Sequence, residues 1–183
     1  IILALAGGKA NRFHEREVRP MGRHTRGVRG IRVDASDLLV GMVVMEQPGS
    51  LLTVTEGGYG KRTFSEEYRL THRGSSGVIN IKNIERNAPV ISIMEVTSDD
   101  ELILISALGM LIRLPVDQIR EMGRSTMGVR LMNLPDDDRI VDAAIVRPDD
   151  SQAEVTEEDN ADEDGNETEE TGDNSEDDEG EAR

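Results

Sequence analysis

Apolar residues fall in short runs that end in glycine turns. Ile1 to Ala6 runs into Gly7-Gly8, Leu51 to Thr55 into Gly57-Gly58, and Leu102 to Ser106 into Leu108-Gly109. Runs of four to six residues rich in Leu, Ile, Val and Thr predict strands, and the glycines predict tight turns into a second strand. Each hairpin is followed by a polar stretch, at 15–26, 65–76 and 116–127. Pro20 and the Gly, Ser and Thr content predict mostly loop there, with room for one helical turn. β character resumes at Val28 to Val33, Val78 to Lys82 and Val129 to Leu134. A last apolar run comes at Leu39 to Val44, Pro89 to Met94 and Ile140 to Ile145.

The pattern is a threefold internal repeat. The turn glycines Gly8, Gly58 and Gly109 are separated by steps of 50 and 51. Arg12, Arg62 and Arg113 keep those steps, as do Arg19, Arg69 and Arg120, then Arg23, Arg73 and Arg124, and then Gly27, Gly77 and Gly128. Four predicted strands per repeat make an all-β, propeller-like array in which each blade buries its faces against its neighbours. The expected blades span about 1–38, 39–89 and 90–148. Three are too few to close a ring of typically four to eight, so unpaired edges are expected. The chain opens at Ile1 inside a predicted strand, and further blades are expected upstream.

Charge separates this body from the residues beyond Pro148. The whole chain carries 21 Lys+Arg and 37 Asp+Glu, a net of −16. Residues 149–183 hold 18 acids and one base (1 − 18 = −17), leaving 20 bases and 19 acids (+1) in residues 1–148. The tail has almost no apolar residues and is expected to be disordered, either a solubilising segment or a tethered polyanion that competes for the basic surface. The absence of cysteine excludes disulfides and thiolate chemistry. No apolar run approaches the roughly 20 residues of a membrane span, so a cytoplasmic body is expected.

The bases that keep the period point to a polyanion. Equivalent places in successive blades are equivalent places in space, so repeated arginines form a belt that can grip phosphates in forks and release counterions. The alternative role is structural, with ion pairs between blades to Glu15, Glu17, Glu66, Glu67, Asp117 or Glu121. Gly27, Gly77 and Gly128 serve either close approach of a phosphate or a tight turn. Two Phe, two Tyr and no Trp leave little for stacking on splayed bases, so duplex backbone is the expected ligand. His14, His24 and His72 are too scattered for a metal set. Asp136 to Asp138 read as a solvated turn, and no catalytic constellation is present.

Residues 12–31 (RFHEREVRPMGRHTRGVRGI), 53–63 (TVTEGGYGKRT) and 122–131 (MGRSTMGVRL) resemble the C-terminal domain of the DNA gyrase A protein. The resemblance covers essentially residues 1–147. It implies half of a six-bladed β-pinwheel that wraps duplex DNA on a basic rim for negative supercoiling. The implied rim residues are Arg12, Arg19, Arg23, Arg62, Arg69, Arg73, Arg113, Arg120 and Arg124, with Lys9, Arg26, Arg29, Lys61, Lys82 and Arg130 as neighbours. It implies no cofactor in this segment, ATP and Mg2+ acting elsewhere in the parent. It also implies a parent heterotetramer, with a second gyrase A chain and the gyrase B subunit, associated with the chromosome. The basic box that separates gyrase from topoisomerase IV is absent here, and His72 to Gly77 only echo it. A topoisomerase IV domain and a propeller serving as a protein-binding platform remain the alternatives.

Overall fold

The computed structural model describes residues 1–82 and 88–148. The acidic tail lies outside the described residues. The architecture is all-β: eleven strands and three 3-10 turns, with no α-helix among the described residues. β1 (Ile2–Leu5) and β2 (Lys9–Arg12) form a hairpin, followed by a 3-10 turn at Glu15–Glu17 and by β3 (Leu39–Val43). The second repeat holds β4 (Ser50–Thr55), β5 (Tyr59–Phe64), the turn Ser65–Glu67, β6 (Val78–Ile79) and β7 (Val90–Val96). The third holds β8 (Glu101–Ser106), β9 (Leu111–Pro115), Val116–Gln118, β10 (Val129–Arg130) and β11 (Ile140–Val146).

The hairpins turn as the glycine spacing predicts. Gly8, Gly58 and Gly109 have φ of 82°, 81° and 86°, a left-handed conformation that costs glycine little, and each amide donates back to the residue three before it. Asp37 and Asp138 fasten the outer turns from the far side of their sheets. Asp37 Oδ1 accepts from the Gly7 amide at 2.8 Å, and Asp138 Oδ1 from the Leu108 amide at 3.1 Å.

The sheets and the repeats do not coincide. The first sheet has the order β3-β1-β2-β6, the second β10-β5-β4-β7 and the third β11-β8-β9. The two-residue strand after each long loop leaves its own repeat and pairs with the preceding sheet: Val78 and Ile79 against Ala10 and Lys9, Val129 and Arg130 against Gly60 and Tyr59. Each repeat therefore builds three strands of its own sheet, and the second and third each lend one to the sheet before. This corrects the expectation of four strands of one repeat in one blade. Leu39–Val43 also pairs with β1, so this run ends the first sheet rather than opening the second. The same antiparallel return along the hairpin brings β7 to β4 and β11 to β8.

Glycine makes the loan possible. Gly77 and Gly128 have φ of 72° and 86°, and a Cβ there would stand 2.5 Å from the carbonyl oxygens of Ala10 and Gly60. The period-keeping glycines thus serve close approach of one chain segment to another. Gly27 has the same left-handed φ of 73° but nothing within 4 Å, because no sheet precedes the first in the described residues.

Packing depends on the sheet order. β3, β7 and β11 touch from sheet to sheet and form the hub, so the donated strands lie on the outer edge. One core cluster lies between the first two sheets, around Ile2, Ala4, Leu51, Tyr68 and Ile93. A second lies between the next two, around Leu52, Val54, Leu102, Leu104 and Ile119. Leu51 and Leu52 are adjacent in β4 and serve different cores, as strand alternation requires of a sheet buried on both faces. Val18 and Ile31 fold back over Leu3, Leu5 and Phe13 on the outward face of the first sheet.

Gly128 and Gly109 share a φ of 86°, but only Gly128 faces a neighbouring backbone. Gly109→Ala is expected to cost about 1 kcal/mol, the left-handed penalty alone. Gly128→Ala is expected to cost about 3 kcal/mol, because the third repeat must also pull its strand off the second sheet. Urea unfolding of both variants measures the difference.

Candidate nucleic-acid interface

The three arginine rows do three different things. Arg12, at the end of β2, and Arg62, within β5, reach forward to the 3-10 turn of the next repeat. Arg12 Nη1 donates to the carbonyls of Ser65 (3.1 Å) and Tyr68 (3.2 Å). Arg62 Nε donates to the carbonyl of Ile119 (2.6 Å) and Nη2 to that of Asp117 (3.3 Å). The guanidinium groups cap carbonyls at these turns, Ser65 O accepting from the Tyr68 amide as well as from Arg12. Arg113, in the last repeat, has no following turn among the described residues and pairs with Glu101.

The second row reaches backward. Arg73 donates to the carbonyls of Glu17 (3.0 Å) and Arg29 (3.3 Å), and its amide donates to Glu17 Oε2. Arg124 donates from Nη1 to the carbonyl of Ile79 at 2.7 Å, the equivalent contact one repeat later. Arg23, at the same position in the first repeat, is exposed and makes no hydrogen bond or ion pair among the described residues.

Only the third row is directed at solvent throughout. The side chains of Arg19, Arg69 and Arg120 come just after the 3-10 turns, are exposed, and have no protein partner among the described residues. In the first repeat they are joined by Arg16, Arg23, Arg26, Arg29 and Arg32, all exposed and with free guanidinium groups. These residues lie on the long loops at the outer edge, away from the hub strands. The remaining expected contacts differ in state. Lys9 is 3.8 Å from Asp34. Lys82 is exposed at the start of a loop, and its amide bonds the carbonyl of Thr126. Arg130 lies over the Tyr59 ring, 5.4 Å from its centroid, and donates to Tyr59 Oη (2.9 Å) and Asn133 Oδ1 (3.1 Å).

Lys61 is not a surface cation. Its side chain is fully buried, and Nζ donates to the carbonyls of Gly123 (2.8 Å) and Arg124 (2.6 Å). Burial, and secondarily the charge of Arg124, bring its pKa down from 10.5 to about 8. The repeat-equivalent residue is Asn11, whose Nδ2 donates to His72 O (3.2 Å) and Gly30 O (3.0 Å). Asn11 and Lys61 thus tie the next repeat's loop to the outer strand, a role that their unlike side chains hide in the sequence. Their equal offset from the paired arginines is the available signal.

Of the histidines and aspartates, His14, Asp37 and Asp138 hold turns. His14 Nδ1 accepts from the Arg16 amide, His72 lies 3.3 Å from Glu17, and no group of metal-ligating residues forms among the described residues. No helix of the described residues is long and apolar enough to cross a membrane.

Strand-exchanging four-stranded blades around a hub, with unneutralised arginines on their outer loops, define a β-propeller repeat with a basic rim. The family model described as the DNA gyrase C-terminal domain, a β-propeller, matches residues 6–44, 49–97 and 100–147, and the chain belongs to that family. Those segments follow the repeats rather than the sheets, since Val78–Ile79 and Val129–Arg130 each fall in one segment and pair in the sheet before it. The chain is 41% identical over 141 residues to the DNA gyrase A protein of Salmonella typhimurium, matching 77% of this chain and 16% of that protein. It is 44% identical over 142 residues to the gyrase A protein of Haloquadratum walsbyi, matching 76% of this chain and 17% of that one. It therefore spans about a sixth of the length of these relatives. A solved gyrase A C-terminal domain superposes with a TM-score of 0.72 at 30% identity, over 79% of this chain and 49% of that one. A solved C-terminal domain of DNA topoisomerase IV superposes at 0.75 with 20% identity, over 84% of this chain and 48% of that one, a likeness of fold.

Two measurements separate the structural bases from the free ones. Arg62→Ala orphans two carbonyls and is expected to cost about 2 kcal/mol, whereas Arg69→Ala and Arg120→Ala should change unfolding free energy by under about 0.5 kcal/mol. For Lys61 the sign is set by proton binding. The unfolded chain holds the lysine proton to about 10.5 and the folded chain only to about 8, so stability should rise with pH across that window. Tyr68, pushed up by burial from 10.0 to about 12, opposes this above pH 10. Lys61→Asn should flatten the rise in urea midpoints between pH 8 and 10.

Proposed function

We propose that this chain is the DNA-wrapping part of a gyrase A protein, which bends duplex DNA along its rim so that the ATP-dependent complex introduces negative supercoils. The observation that carries the proposal is the row of exposed, unpartnered arginines at 19, 69 and 120, thickened in the first repeat by Arg16, Arg23, Arg26, Arg29 and Arg32. Free guanidinium groups at repeat spacing suit the evenly spaced phosphates of a duplex and carry no base code. Bending a few tens of base pairs costs several kcal/mol, which repeated phosphate contacts offset. Three blades offer a short arc of rim, so this chain by itself should bend DNA incompletely.

Identity of 41% and 44% to gyrase A proteins supports gyrase over topoisomerase IV. The parent protein on this reading works with a second gyrase A chain and with gyrase B, uses ATP and Mg2+ bound elsewhere, and acts in the cytoplasm on the chromosome. The tail, with its −17, then acts as a tethered competitor for the rim.

The test is a salt series with duplex DNA. Each neutralised phosphate contributes roughly 0.9 to the slope of log K against log salt. Replacing Arg19, Arg69 and Arg120 together by Ala should reduce that slope by about two to three, and Arg62→Ala should leave it unchanged; equal slopes in the parent chain and both variants would refute the assignment. Truncation after Pro148 should tighten binding at low salt.

A further inference from the structure

The three long loops occupy equivalent places but carry unequal charge. Residues 15–32 hold six arginines and two glutamates (6 − 2 = +4), whereas the equivalent stretches 65–82 and 116–133 each hold three bases and two acids (3 − 2 = +1). The difference falls at particular positions. Arg16, on the first 3-10 turn, has Glu66 and Asp117 as its equivalents. Arg26 corresponds to Ser76 and Met127, and Arg32 to Lys82 and Asn133.

The contrast at 16, 66 and 117 does not depend on what lies before the first repeat. Glu66 and Asp117 both have a preceding repeat in place, yet their side chains are exposed and make no hydrogen bond or ion pair among the described residues. Asp117 contributes only its carbonyl, to Arg62. The turn therefore presents this position to solvent in every repeat, and the residue there is available to act on a ligand.

Each of these positions lies three residues before the solvent-directed arginine of its repeat, Arg19, Arg69 or Arg120. Three residues of chain span at most about 11 Å, which is about one Debye length in 0.1 M salt. Arg16 thus adds to the positive field at Arg19, while Glu66 and Asp117 subtract from it at Arg69 and Arg120. Glu121, next to Arg120, subtracts again. In the later loops, moreover, Arg73 is committed to the carbonyls of Glu17 and Arg29, and Arg124 to that of Ile79.

We infer that the rim is graded: the first repeat anchors duplex DNA, the third releases it first, and the residue at 16, 66 and 117 sets the grip of each step. The inference deepens the DNA-wrapping reading and rests on it. Because the repeats follow one another along the arc, contact is lost from the third toward the first as salt rises. A duplex held by the first repeat alone is bound but no longer bent, so the grading separates binding from wrapping.

The test is a salt titration of the 1–183 chain on a duplex that spans the arc. The chain has no cysteine, so a single photo-cross-linker can be placed by His24→Cys in the first loop or by Ser125→Cys at the equivalent exposed position in the third. Cross-linking at 125 should fade at a lower salt concentration than cross-linking at 24. Glu66→Arg combined with Asp117→Arg should bring the two midpoints together and steepen the salt slope by about 1.8, two added phosphate contacts. Arg16→Glu should weaken binding roughly tenfold at about 0.1 M salt, with unchanged circular dichroism. Coincident midpoints in the parent chain, or a third repeat that outlasts the first, would overturn the grading; so would midpoints unmoved by the substitutions at 66 and 117. These results leave the rim reading standing as long as joint replacement of Arg19, Arg69 and Arg120 by Ala flattens the slope. If that triple variant keeps the parent slope, the rim reading fails and the grading fails with it.

Discussion

Both four-stranded sheets are completed by two residues from the following repeat, and those residues reach their sheet only because a glycine lets one backbone pass within contact distance of another. Gly77 and Gly128 face carbonyl oxygens at a separation no side chain could survive. Once the loan is made, the long loop between the hairpin and the donor must lie across the outer edge, and the arginines it carries are delivered to one rim. The spacing of surface charge is therefore set by main-chain pairing, with side-chain packing at the two cores holding the sheets at a fixed separation.

The electrostatics depend on how the stitches are made. Arg12, Arg62, Arg73 and Arg124 bond backbone carbonyls in place of the carboxylates that an ion-paired array would use. A carbonyl orients a guanidinium without cancelling its charge. The positive field at the rim therefore includes groups that cannot themselves touch a phosphate, and it adds to that of the free row at 19, 69 and 120. Lys61 is the extreme case, a buried cation kept by two carbonyls at a site where the first repeat uses the neutral Asn11.

The three copies, the hairpins, the positive-φ glycines at the turns and the 3-10 turns in the polar stretches are legible in the sequence, since each depends on local chain geometry. The partnering of strands is not. Val78 and Ile79 look the same whether they pair within their repeat or with β2, because a two-residue strand carries no periodicity that could specify its neighbour. The arginine rows mislead for a related reason: a contact between blades recurs with the same period as a contact to DNA. Arg12 and Arg69 differ in burial and partners, and neither is encoded in spacing. The excess of bases over acids in the first repeat is a truer signal, since it marks arginines with nothing in the protein to bond.

A sheet in this molecule is not a contiguous stretch of chain, whereas a repeat is. Inserting or excising about 50 residues in frame would leave every interior donor facing an acceptor, so the array can grow or shrink by whole repeats through simple gene duplication or loss. Excising one visible blade would instead require two cuts and a splice, and would strand a donor. The number of blades is thus free to drift while the seam between them stays fixed, and the length of arc becomes the quantity that such lineages can vary cheaply.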